Sequence, residues 1–142
     1  MNDLFTILIA DRNSHVRTFL MRELMAEGYR VMSAATAEHV LKMAFARDDI
    51  DLLILDPHLP DADAVSILKN LKDRIPVLPI VLHTHRQLED EALLGDEPWC
   101  AVIEKAGDSV EHIKTAVQRL LSTVGKNAGE AGRNINTEGE IS

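Results

Sequence analysis

The 142-residue chain holds a single cysteine, Cys100, so no internal disulfide can form and a reducing, cytoplasmic setting is expected. It has no excess of positive charge. Fifteen Lys and Arg stand against 23 Asp and Glu, a net charge of −8. That balance lacks the basic footprint of a nucleic-acid binder and gives no attraction to anionic membranes. Long apolar runs are missing too. The stretch Leu4 to Ala10 is too short for a signal core or a membrane span, and Met1-Asn2-Asp3 carries no cationic segment ahead of it. No glycine-rich phosphate loop follows that stretch, which argues against a nucleotide-binding domain or hydrolase. What remains is 46% hydrophobic and 27% charged, ordinary for one globular domain with a real core.

Short apolar runs recur along the chain, as in strands buried on both faces. Ile7-Leu8-Ile9-Ala10 ends in Asp11, Asp51 to Leu55 ends in Asp56, Ile80 to His83 ends in Thr84, and Ala101 to Glu104 ends in Lys105. A further strand is expected over Tyr29 to Ala34, and the last one starts at Cys100. Helical spacing lies between them. Ser14 is the expected cap of a helix carrying Val16, Phe19, Leu20, Met21, Leu24 and Met25, with Gly28 as its stop. Thr36 caps a helix with Ala37, Val40, Leu41, Ala44 and Phe45 on its apolar face, and Asp63 caps one with Val65, Ile67, Leu68 and Leu71. A weakly periodic acidic helix is placed at Gln87 to Gly95, and Asp108 or Ser109 caps a last helix running to Val124. Five strands alternating with five helices imply parallel βα units with right-handed crossovers. Strand C-termini then share one edge, where ligands bind, so Asp11, Asp56, Thr84 and Lys105 are expected together. From Gly125 to Ser142 glycines recur and periodicity is lost, giving a domain over 1–124 and a disordered tail or linker over 125–142.

The runs ending in Asp11 and Asp56, the loop Leu59-Pro60-Asp61-Ala62-Asp63, the run Pro79 to Thr84, and Lys105 resemble, in order, the receiver domain of two-component response regulators. The resemblance covers about Leu4 to Val124. It implies a flavodoxin-like (βα)5 fold, a doubly wound five-stranded parallel sheet in the order 2-1-3-4-5 with helices on both faces. It also implies a phosphorelay role, with Asp56 as phosphoacceptor, Thr84 donating its hydroxyl to a phosphoryl oxygen, and Lys105 acting as a point charge on the phosphoryl group. Mg²⁺ would be held by Asp11, Asp56 and the backbone carbonyl of His58. Partners would be a histidine kinase or phosphotransfer protein, and a downstream protein meeting the face of the fourth helix, fifth strand and fifth helix. The chain would be a monomer or weak homodimer, and a signalling module rather than an enzyme.

The sequence departs from that pattern. Arg12 stands where the family has a second acid, exchanging −1 for +1 beside a dication site. A unit charge pair at 4 Å is worth about 4 kcal/mol at an effective dielectric of 20, so the exchange weakens Mg²⁺ binding. Arg12 either points into solvent or pairs with Asp56 and occupies the metal site. His58 takes a position that is often apolar, Ala64 replaces a frequent glycine, Val102 a common aromatic, and Ala106 the usual proline. The stretch from Gly95 to Lys105 is about three residues longer than usual, which alters the expected output face. His83 and His85 flank Thr84 at a spacing that could bind metal, though no Cys or acid pattern surrounds them. The alternative function is therefore a pseudo-receiver, an interaction module of the same fold that is not phosphorylated.

Overall fold

The computed structural model describes residues 5–85 and 98–122. The helix expected over 87–95 and the tail expected from 125 lie outside the described residues. Five strands form one parallel sheet: β1 (Thr6–Ala10), β2 (Arg30–Ala34), β3 (Leu52–Leu55), β4 (Ile80–Thr84) and β5 (Cys100–Glu104). Their spatial order is β2-β1-β3-β4-β5, which puts the two halves of the sheet on either side of the β1–β3 pairing. The described helices are α1 (Ser14–Ala26), α2 (Ala37–Ala46), α3 (Ala64–Leu71) and α4 (Ser109–Leu121). Among the described residues no helix is long and apolar enough to cross a membrane.

Alternation along the strands builds two cores. Leu8, Ala10, Leu53, Leu55, Ile80 and Leu82 face α2 and α3, where they meet Val40, Ala44, Ile67 and Leu71. Their neighbours Ile7, Ile9, Leu52, Ile54 and Val81 face α1 and α4, meeting Leu20, Leu24, Ile113, Val117 and Leu120. Each side chain points opposite to the next, so the near-continuous apolar runs of β1 and β3 are what a sheet covered on both faces demands.

Helix ends follow side-chain capping, with one correction to the sequence reading. Asn13, not Ser14, is the N-cap of α1: its Oδ1 accepts from the N–H groups of His15 and Val16 at 2.8 and 3.3 Å, and Ser14 is already helical. Asn and Ser are near-equal caps, so adjacency alone does not order them. Thr36 and Asp63 cap α2 and α3 as expected. Asp108 occupies the N-cap position of α4 without a side-chain cap bond. Gly28 stops α1 at φ 99°, a conformation that penalises a Cβ. A second correction concerns the apolar faces. Phe19, Met25, Phe45 and Val65 are exposed, because each lies at the rim of its helical stripe and the sheet covers only the centre.

Arg74 joins the segment after α3 to the α2–β3 connection. It is 3% exposed, and its guanidinium donates to the carbonyls of Ala44, Pro76, Arg47 and Ile50 at 2.6–3.0 Å. Its pKa is lowered, chiefly by burial. Two of the accepting residues, Ala44 and Arg47, lie at the C-terminal end of α2, where a cation complements the helix dipole.

Candidate functional site

The parallel ladder runs one residue past the ends of β1, β3 and β5, and those residues carry the site. The N–H of Asp11 donates to Ala34 O at 3.2 Å, that of Asp56 to Ala10 O at 2.8 Å, and that of Lys105 to Thr84 O at 2.8 Å. Asp11, Asp56 and Lys105 are thus set along one C-terminal edge by backbone pairing, with Thr84 of β4 between the last two, before any side chain interacts. Each acid then turns its own chain. Asp11 Oδ1 accepts from Asn13 N–H at 2.9 Å, and Asp56 Oδ1 accepts from His58 N–H at 3.0 Å. Such i to i+2 bonds are the usual way an aspartate opens a loop.

Both carboxylates are buried, at 2% for Asp11 and 1% for Asp56. A buried carboxylate must be paired or hydrogen-bonded to stay ionised, and the pairing comes from two cations. Lys105 Nζ lies 2.9 Å from Asp11 Oδ2 and 3.7 Å from Asp56 Oδ2. Arg12 also reaches Asp56: its backbone N lies 3.3 Å and its Nε 3.5 Å from the same Oδ2. Its Nη1 donates to the backbone carbonyl of His58 at 3.0 Å. Of the two positions open to Arg12 from sequence, it takes the one against Asp56.

Thr84 is buried as the last residue of β4, joined to Lys105 by the ladder bond above. His58 is half-buried. His83 and His85 do not form a metal cluster; among the described residues no group of three His, Cys, Asp or Glu is placed to hold a metal ion. His83 instead bonds Ser109 Oγ through Nε2 at 3.1 Å, and its pKa is lowered to about 4, first by burial and then by the charge of Lys105.

Sequence reasoning missed two supports. Arg17 reaches back from the first turns of α1 and donates to Asp11 O at 2.6 Å. Asp61, in the loop after β3, accepts from the N–H groups of Ala37 and Glu38 at 2.7 and 3.0 Å, which holds its pKa below the usual carboxylate range. This second cap at the start of α2 ties down the loop beside Asp56. The acid in Leu59-Pro60-Asp61 was visible, but its partner lies more than twenty residues away.

The donor set fits a divalent cation poorly. Asp11, Asp56, Arg12 and Lys105 already sum to zero charge, and Arg17 adds a further positive group close by. The His58 carbonyl, one of three expected ligands, is taken by a guanidinium. With an acid at position 12 the same four positions would carry two net negative charges, the complement of a dication. Beside the site lies a cavity of about 480 Å³, lined by Val16, Phe19, Leu20, His83, Ala106 and Ser109 and reached by Arg12 and Lys105.

A family model described as the response regulator receiver domain matches residues 7–118. The chain is 33% identical over 91 residues to the alkaline phosphatase synthesis transcriptional regulatory protein PhoP of Bacillus subtilis, covering 64% of this chain and 38% of that one. It is 34% identical over 120 residues to the KDP operon transcriptional regulatory protein KdpE of Escherichia coli, covering 82% and 53% respectively. The chain thus spans between about a third and half of the length of these relatives. A response regulator receiver protein from Sinorhizobium medicae superposes with a TM-score of 0.74 at 23% identity, over 85% of this chain and 97% of that one. The structure of histidine kinase ThkA in complex with response regulator protein TrrA, the latter from Thermotoga maritima, gives a TM-score of 0.68 at 25% identity, over 82% and 98%.

Proposed function

Because the chain belongs to the response regulator receiver domain family, we propose that it takes a phosphoryl group onto Asp56 and passes the change to a protein partner. The observation that carries this reading is the convergence of two buried strand-end carboxylates, Asp56 and Asp11, on the ammonium of Lys105. An Asp56 oxygen attacks the phosphorus of a phosphohistidine, forming the acyl phosphate O–P bond. The P–N bond breaks, and the imidazole leaves with the electron pair. Catalysis of such a transfer is mostly positioning and charge stabilisation. Lys105 and Arg12 offset charge on the phosphoryl oxygens, and the Thr84 hydroxyl donates to one of them. The phosphoryl stays bonded to the chain, which acts as a switch and not as a turnover catalyst.

A histidine kinase or phosphotransfer protein is the fitting donor, in line with the kinase that TrrA engages. The output passes through β5 and α4. There Val102, Ile103, Glu104, Asp108 and His112 line a shallow cavity of about 250 Å³.

A second reading is favoured by Arg12. Asp56 is already paired on Oδ2 and hydrogen-bonded on Oδ1, so the site is also suited to a pseudo-receiver that binds partners unphosphorylated. Incubation with phosphoramidate, read by intact mass, separates the two. Wild type gains one phosphoryl group and Asp56→Asn gains none. Unmodified wild type would overturn the phosphoacceptor reading and leave the pseudo-receiver.

A further inference from the structure

We propose that Arg12 is the resident cation of this site and takes the place of the divalent metal ion. Its contacts are those a bound metal would make. One guanidinium reaches both Asp56 Oδ2 and the His58 carbonyl, two of the three expected metal ligands. The third, Asp11, is ion-paired to Lys105 at 2.9 Å. The backbone N–H of Arg12 also points at Asp56 Oδ2, so main chain and side chain of one residue converge on one oxygen. Burial does not force this pose. The Arg12 side chain is 50% exposed and could extend into water, yet it lies against the carboxylate.

The electrostatic consequence is direct. Asp56 and Asp11 are neutralised by charges that belong to the chain, so a dication entering the site meets no uncompensated negative charge. It would have to displace a guanidinium and then share the site with it. A covalently attached cation is also present at every Mg²⁺ concentration, so the charge state of the site does not follow the ion. The planar fork of Arg suits a phosphoryl group as well as a carboxylate. Arg12 borders both Asp56 and the 480 Å³ cavity, so a donor arriving through that cavity meets the guanidinium beside Lys105. This last point rests on the phosphoacceptor reading. The loss of metal binding does not, so the two fail separately.

The test is a Mg²⁺ titration of the whole chain followed by amide NMR at Asn13 and His58. Their N–H groups donate to Asp11 and Asp56, so ligation of either acid moves them. In wild type these signals stay in place while surface acids titrate weakly. In Arg12→Asp they shift and saturate, with Mg²⁺ affinity raised at least about tenfold, equivalent to 1.4 kcal/mol. Arg12→Gln, which removes charge without adding any, falls between them and serves if the Asp variant does not fold. Saturable shifts in wild type at the same Mg²⁺ concentration as in Arg12→Asp or Arg12→Gln would overturn the proposal.

Discussion

Lys105 is held closer to Asp11 than to Asp56, at 2.9 Å against 3.7 Å. The flanking acid anchors the lysine and the ladder bond to Thr84 fixes its backbone, so its ammonium is parked beside Asp56 without being consumed by it. Removing it should expose what it neutralises. In Lys105→Met the two buried carboxylates lose the ammonium that pairs with both, and breaking a buried pair costs about 3–5 kcal/mol. The variant should be less stable than wild type by about that much at pH 7. Urea unfolding of both proteins at pH 7 measures it, and an unchanged stability in Lys105→Met would count against the anchoring role.

Arg74 should matter to stability and not to the site. Arg74→Met leaves four carbonyls without their donor, at the end of α2 and in the segments before β3 and β4. A buried acceptor left unmet costs about 1–3 kcal/mol, so a loss of about 3 kcal/mol or more is expected. Arg74→Lys should recover only part of it, since an ammonium lacks the fork that spans several carbonyls. Thermal and urea unfolding read both, while Asp56 chemistry in the remaining folded protein stays unchanged.

His83 gives a pH dependence with a fixed sign. Its pKa falls from 6.5 to about 4 in the folded chain, through burial first and Lys105 second, with His85 adding and Asp56 opposing. Ser109 bonds one ring nitrogen, and the other has no hydrogen-bond partner among the described residues. The unfolded chain therefore binds a proton that the folded one refuses between those values, and stability falls as pH drops from 6.5 toward 4. The full effect is about 3 kcal/mol. His83→Asn should flatten that part of the stability profile, measured as the difference between the two proteins' urea midpoints at pH 7.5 and pH 5.

The strand-end residues were legible because a parallel sheet converts sequence order into a shared edge. Once Asp11, Asp56, Thr84 and Lys105 each closed an apolar run, their convergence followed from topology. The exchange at Arg12 was legible as a charge reversal. Its direction was not, because an arginine beside a strand end has solvent and carboxylate equally within reach. Phe19 and Phe45 read as core because helical spacing marks apolar positions and not the width of the surface that covers them. Arg74 gave no signal at all. Its partners are backbone carbonyls 24 to 30 residues away on the α2 side, and backbone acceptors leave no trace in residue identity.

Asp56 is expected to react with chain-borne charge in place of a metal. Intact mass after incubation with phosphoramidate, once with Mg²⁺ and once with a chelator, tests this most directly. The expected result is one phosphoryl adduct on wild type at similar rates in both, absent from Asp56→Asn. An adduct that forms only with Mg²⁺ would contradict the account.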